Sequence, residues 1–409
     1  LASISCNAAA AELLRQCIAG ERWDADLVAS LARDECSEAL FRILVEGLAD
    51  RFEPRLCDAY AAIFSQVLEG CSPEFRAMDL QQRYERVRQP RVCTRQADHV
   101  VVLSRVTLGA DIAITSVILD AVKRRFPAAA IRLAGSAKAA ELFAGDARIH
   151  ALETPYARSG AVGDRLECWR QLRAAIPSEK TIVVDPDSRL TQLGLLPLCE
   201  EDDYFFFESR AYGADSDLSV GELAAVWASR AFEVGTSQAR IAPLNADFPM
   251  DQPSVTVSLG TGGNDAKALP EGFEAELIRL LCSRFADVVV DEGFGDAEAA
   301  RVARAIAGTP ARTFRGSFAR FAAVIAKSSC YVGYDSAGQH AAAAAGTPLI
   351  TLFKGFASDR MFARWQPAGP GPKRILKLSA HPDLDEVRAL LVSSLEPSPQ
   401  SWTSWIRTV

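Results

Sequence analysis

Residues 330–353, CYVGYDSAGQHAAAAAGTPLITLF, gather the side chains best suited to holding an anion. The run reads as a buried strand, a turn through Asp335, Ser336, Ala337, Gly338, Gln339 and His340, an alanine-rich helix stopped at Gly346 and Pro348, and another apolar strand. A strand that feeds a helix through small residues brings backbone N–H groups and a positive helix end to one point, which suits a phosphate or diphosphate. Ser336 is placed to cap that helix, and His340 lies in its first turn, near the same point.

Other strand-end loops carry complementary chemistry. Residues 104–111, SRVTLGAD, end on Asp111, which reads either as a carboxylate at a helix start or as a general base facing a cleft. In residues 260–270, GTGGNDAKALP, the backbone at Thr261, Gly262 and Gly263 can approach a ligand closely, and Lys267 offers a cation for phosphate. The glycine spacing matches neither a Walker motif nor G-x-G-x-x-G. Residues 291–296, DEGFGD, supply carboxylates at a strand end, where ribose hydroxyls are held in dinucleotide folds. Asp185-Pro186-Asp187 also follows an apolar strand; a D-x-D can hold a divalent cation, but the intervening proline favours a turn.

The elements that must position these loops alternate strand and helix. Short apolar strands are expected at 100–103, 130–134, 181–184 and 204–207, with a helix at 111–126, and again at 255–259 and 288–290, with helices at 273–285, 297–307 and 317–327. That alternation predicts an α/β protein with two doubly wound parallel sheets facing a cleft. The proline-rich stretch 241–253 reads as the linker between them. Residues 1–95 read as wholly helical, so the expected domains are 1–95, 96–245 and 246–409. The arginines at 83, 86, 88, 91 and 95 read either as a solvated helix end or as a patch facing anionic lipid or an acidic acceptor. A last helix is expected at 384–395, and Trp402 and Trp405 are expected to dock on a neighbouring surface.

Composition bounds the function. With 409 residues, 49% hydrophobic and 24% charged, the chain is a globular protein of two or three domains. A net charge of −7 argues against nucleic acid as a partner. No apolar window is long enough for a membrane span, and the opening residues lack the pattern of a signal peptide, so a cytoplasmic location is expected. The ten cysteines stand singly with no C-x-x-C, which predicts free, mostly buried thiols and no structural metal.

Together the loops resemble glycosyltransferase family 9, the lipopolysaccharide heptosyltransferases of GT-B fold, over residues 99–367. Residues 316–355 are similar to the family's donor-diphosphate pattern, with Asp335, Ser336 and His340 matching it position by position. LGADIAITSVILDAVKRRFP is similar to the family's L-G-D segment, with Ala110 inserted and Asp111 at the catalytic base. KALP at Lys267 is similar to the family's K-x-W-P, and Asp296 falls where an acid holds the ribose. The resemblance implies inverting, metal-independent transfer of a sugar from a nucleotide diphosphate sugar to a glycan or glycolipid hydroxyl, with no cofactor. The acceptor is expected beside Asp111, Asp185, Asp187 and Arg189, with the helical region extending that surface, forming oligomers or touching the inner face of the membrane. Two alternatives stand beside this reading: a family member that binds without catalysis, and a sugar-nucleotide epimerase on the same fold.

Overall fold

The computed structural model describes residues 5–156, 159–177, 179–270, 272–396 and 398–409. Two parallel sheets form its frame. The first holds β1 (His99–Leu103), β2 (Ala130–Gly135), β3 (Ile149–Glu153), β4 (Thr181–Asp185) and β5 (Tyr204–Phe206) in the order β3-β2-β1-β4-β5. The second holds β6 (Ser254–Ser258), β7 (Asp287–Asp291), β8 (Arg312–Phe314), β9 (Cys330–Tyr334), β10 (Leu349–Phe353), β11 (Lys373–Lys377) and β12 (Trp405–Thr408) in the order β12-β11-β10-β9-β6-β7-β8. The strand order reverses between β1 and β4 in the first sheet and between β6 and β9 in the second. Loops leaving the carboxyl ends of strands diverge at such switch points and open a crevice.

The central strands read as unbroken apolar runs because helices cover both faces; β4, β6, β9 and β10 are buried at every position. Strands β3, β8, β11 and β12 did not stand out in sequence. They are edge or near-edge strands: β8 exposes two of its three residues and β12 three of four. Trp402 is buried with the Arg374 guanidinium 4.5 Å from its ring centroid, and Trp405 begins edge strand β12.

Helices fill residues 6–87 of the N-terminal region. One apolar cluster runs from Ala9 through Phe64 and Tyr84 to Val101, Val183 and Phe206, so the helices share a core with the first sheet. The arginine segment supplies the polar half of that contact. Arg83 Nη1 donates to the Gly194 carbonyl at 2.7 Å, Arg88 pairs with Glu208 at 2.9 Å, and Arg86 pairs with Glu201 at 2.7 Å. Arg91 donates to the Tyr204 carbonyl at 2.5 Å, and Arg95 pairs with Asp203 at 2.9 Å. Arg83 and Arg88 are thus drawn into the contact that docks the helices on the first sheet, while Arg86 and Arg95 stay exposed and pair with acids at its rim.

The cysteine expectation needs one correction. Cys6 and Cys36 form a disulfide, with Cα atoms 5.2 Å apart, because the helix Cys6–Ala19 packs back on the turn that holds Cys36. A separation of thirty residues gives no sequence signal for that approach. The other eight are free, and five of them are buried.

The two sheets close on each other. A second apolar cluster joins Ile112 and Ala113 of the first unit to Ala341, Ala342 and Ala343 of the second. The buried Arg364 donates to the carbonyls of Gly213, Ser216 and Leu218 at 2.5–2.7 Å, which fixes the second unit against the first.

Candidate functional site

The β6–β9 switch point carries the anion motif. After β9 the chain turns through Asp335 and Ser336 into the helix Ala337–Ala345, which ends at Gly346 with φ +76°. A Cβ on Gly338 would lie 2.1 Å from the Tyr331 hydroxyl, so only glycine lets this helix sit so tightly on its own strand. Ser336 occupies the N-cap position, but its hydroxyl makes no capping bond to the helix. That hydroxyl is buried without a well-formed protein partner, beside the Tyr331 hydroxyl.

Lys267 reaches this turn. Its Nζ donates to the Asp335 carboxylate at 2.9 Å and to the Asp335 carbonyl at 2.8 Å. Burial pushes the Asp335 carboxyl above its usual range, against the pull of Lys267 and of Gln339, whose amide donates to it at 2.5 Å. His340 is buried, with its ring edge-on to Trp365 at 6.0 Å. Burial and the charge of Lys267 push its pKa down to about 3, so the ring is neutral at physiological pH. Four residues singled out in sequence, Lys267, Asp335, Ser336 and His340, thus meet at one place.

A cavity of about 440 Å³ opens beside them. Ser258 and Gly260 at the end of β6, Asp291 and Gly293 at the end of β7, and Ser336 and Ala337 after β9 line one side. Leu108, Lys138 and Glu141 of the first unit line the other. Ser317, the N-cap of the helix Phe318–Ile325, also lines it, and it too makes no side-chain capping bond. Two helix N-termini with unspent caps therefore point at one cavity, and their partial positive charges add. Phe294, 83% exposed, stands at the mouth with Lys138 Nζ 4.2 Å from its ring centroid.

Asp296, the acid expected at the ribose, begins the helix Asp296–Ile306, is exposed, and does not line the cavity. Asp291 and Glu298 of the same segment do line it; Glu298 accepts from the Phe294 N–H at 2.9 Å, and burial pushes Asp291 up to about 6. Asp291 ends its strand, and ligands of such sheets gather where strands end.

At the β1–β4 switch point the expected residues are mostly spoken for. Asp111 begins a π-turn, Asp111–Thr115, between the helical stretches Leu108–Ala110 and Ser116–Arg125. A π-turn holds one residue more than an α-turn, so it absorbs Ala110 without breaking the helix. Asp111 is 1% exposed, and its carboxylate accepts from Ser104 Oγ at 2.7 Å, the Arg105 N–H at 2.6 Å and Thr115 Oγ1 at 2.9 Å. Burial nevertheless pushes it up to about 6. Gly109 is what faces the second unit: a Cβ there would lie 3.5 Å from Ala337 Cα.

Asp185 and Asp187 are fully buried. Asp185 accepts from Ser188 N at 2.6 Å and from the Thr191 and Tyr204 hydroxyls at 2.5 Å; burial pushes it up to about 6. Burial acts the same way on Asp187, but Arg210 and Arg105 outweigh it and hold Asp187 below its usual range. Both acids brace the loop. Among the described residues no group of three or more His, Cys, Asp or Glu is placed to share a metal ion.

Arg189 does face a cavity, a second one of about 440 Å³. The helical region lines it with Ser37, Phe41, Arg42 and Glu46, the first unit with Gly160, Arg165 and Arg189, and the second with Gly262 and Gly263. Gly262 and Gly263 have φ of +64° and +85° and open space where a Cβ would stand, while Thr261 beside them is buried. Gly262 lines both cavities, so the two meet at this loop. Arg189 pairs with Glu46 at 3.2 Å, between the first unit and the helical region. The share taken by residues 37–46 had no signal in sequence beyond helical periodicity.

Comparison with known proteins fits this geometry. Residues 202–383 match the family model described as glycosyltransferase family 9 (heptosyltransferase). The structure of E. coli heptosyltransferase WaaC with ADP matches with a TM-score of 0.55 at 15% identity, over 72% of this chain and 99% of that one. E. coli ADP-heptose lps heptosyltransferase II matches with a TM-score of 0.50 at 17% identity, over 72% and 99%. The family 9 glycosyl transferase of Veillonella parvula DSM 2008 gives 0.51 at 12% identity, over 76% and 92%. At these identities the similarity is one of fold, and the fold is GT-B. No curated protein matches the sequence.

Proposed function

Taking residues 202–383 as those of a family 9 glycosyltransferase, we propose that the chain transfers a sugar, with inversion, from a nucleotide diphosphate sugar to the hydroxyl of a glycan or glycolipid. The observation that carries this is the convergence of two unspent helix N-termini on one cavity, with Lys267 held at the turn that starts one of them. Charge develops on the leaving diphosphate as its bond to the anomeric carbon breaks. Fixed N–H groups at residues 317–319 and 336–338, together with Lys267, stabilise that charge without reorganising. The Ser336 hydroxyl supplies a further donor. Asp291 and Glu298 sit where ribose hydroxyls would be held. The neutral His340 and Gln339 hold the turn in shape.

The donor is an ADP-sugar in this reading, in keeping with the ADP and ADP-heptose named for the matched E. coli enzymes. The acceptor occupies the second cavity, between the helical region and Arg189, and meets the donor at Gly262. Asp111, saturated by three donors, positions the turn that carries Ser104 and Arg105. That saturation is also the one observation favouring a protein that binds donor without turning it over.

Titration calorimetry with ADP and ADP release from ADP-heptose test the proposal. Binding and release by the parent chain, both lowered in Lys267→Ala, are the expected result. Binding with no release supports the inert reading, and absence of any nucleotide binding removes the diphosphate assignment.

A further inference from the structure

The proposed donor cavity holds an aromatic residue that neither a diphosphate nor a ribose accounts for. A single exposed phenylalanine is ordinary on a protein surface and by itself means little. Phe294 is exposed, but it also lines the cavity and is held there from both units. Its N–H donates to Glu298 at 2.9 Å, and Gly293 before it takes φ +80°. A Cβ on Gly293 would lie 2.2 Å from Glu298 Cδ, so only glycine lets this loop sit down on that carboxylate. From the first unit, Lys138 on the short helix Ala137–Glu141 holds its Nζ 4.2 Å from the ring centroid. An ammonium over a phenyl ring is attracted to the electron-rich face it covers. With 83% of the residue accessible, the ring keeps its other face free.

The order of groups along the cavity matches the order of parts in a nucleotide diphosphate. Ser336 and Ser317, the N-caps suited to the diphosphate, are half-buried, as are Asp291 and Glu298, the acids suited to the ribose. Phe294 follows at the exposed end, joined to Glu298 by its backbone hydrogen bond. A nucleobase hangs from its ribose by one bond. A ribose held at Glu298 therefore brings the base within reach of the residue bonded to that acid. Leu108 of the first unit and Phe318 of the second add apolar lining to the same cavity.

We infer that Phe294 is the platform on which the donor's nucleobase stacks, that Lys138 steadies the ring from the opposite face, and that the site thereby favours purine over pyrimidine nucleotides. This inference rests on the proposed nucleotide-sugar reading. Every base has a π-face, and stacking on an aromatic side chain needs no hydrogen bond to the base edge. Its strength grows with the area covered, so a two-ring purine gains more from the phenyl ring than a one-ring pyrimidine.

Calorimetric titration of the full chain with ADP, UDP and ribose 5-diphosphate, which is ADP without its base, tests this. The parent should bind ADP about 10-fold more tightly than ribose 5-diphosphate, and UDP in between. Phe294→Ala should weaken ADP about 10-fold, leave ribose 5-diphosphate within about 2-fold, and bring ADP and UDP within about 2-fold of each other. Phe294→Trp should bind ADP at least as tightly as the parent. Lys138→Ala should weaken ADP about 3-fold without touching ribose 5-diphosphate. ADP affinity in Phe294→Ala within about 2-fold of the parent overturns the platform. So does an equal loss on ribose 5-diphosphate, which marks a structural role for the loop. A Lys138→Ala loss on both ligands assigns that lysine to the phosphates and overturns its place on the ring. A parent that binds all three ligands alike overturns base recognition and leaves the diphosphate site standing, whereas one that binds none overturns the donor site itself.

Discussion

On the proposed donor side of the cleft, Asp335, Ser336, Gln339 and His340 come from one turn and the helix it starts, and Lys267 is the distant group that joins them. On the proposed acceptor side, the cavity takes Phe41 and Glu46 from the helices, Arg165 and Arg189 from the first unit and Gly262 from the second. The donor side is held by local geometry: a strand end, a helix N-terminus and a glycine tight on Tyr331. The acceptor side is held by long-range contacts such as Arg83 on Gly194 and Arg189 on Glu46. Local geometry survives changes elsewhere in the chain, whereas an assembled surface fails whenever one contributor is removed.

The largest effect expected from this difference is that of deleting residues 5–95. The helices share one apolar cluster with β1, β4 and β5, so the shortened chain should show no cooperative thermal transition by circular dichroism. A transition near the parent midpoint would show that the helices are an independent module. The next effect separates the two halves. Lys267→Ala should weaken ADP binding and slow turnover by about 10²-fold, whereas Arg189→Ala should leave ADP affinity within about 2-fold and act on acceptor dependence. Equal losses in both assays for both variants would erase the distinction between donor and acceptor sides.

A smaller effect probes the donor turn itself. Gly338→Ala drives a methyl into the Tyr331 hydroxyl and should cost about 1–3 kcal/mol in urea unfolding; no change in midpoint would mean that the strand–helix contact is slack. The smallest concerns the acceptor-side brace. Asp185 has its pKa raised from 3.8 to about 6 by burial, so its contribution to stability is fully present below about pH 4 and is lost as pH rises through about 6. Asp187, held low by Arg210 and Arg105, has the opposite sign: its contribution is present at neutral pH and lost in acid. Asp185→Asn should therefore narrow the stability difference between pH 4.5 and 7.5 by removing the descending component. An unchanged difference would place Asp185 in water rather than in its three-donor pocket.

Much of the frame was legible because it repeats. Buried parallel strands such as β4, β6, β9 and β10 are largely apolar runs, and β6 and β9 are followed by helices of clear periodicity. The edge strands β3, β8 and β12 and the near-edge β11 carry charged residues and escaped notice for that reason. The donor motif was legible through its spacing of small residues. Which acid of residues 291–298 lines the cavity was not legible: Asp291 and Glu298 do and Asp296 does not, because sequence shows that a loop is acidic but not which acid points inward. The disulfide between Cys6 and Cys36 was invisible, since helix packing alone brings the two together.

The sequence by itself determined the parallel α/β frame and the strand–turn–helix at Asp335 and Ser336. Both depend on periodicity and short-range spacing, which a linear string records. Only the tertiary structure decided what the acids do. Asp111, Asp185 and Asp187 look like site residues in the string, and each is buried under donors from neighbouring segments. Whether a carboxylate braces a loop or faces a reaction depends on which distant groups surround it, and distant groups meet only when the chain folds.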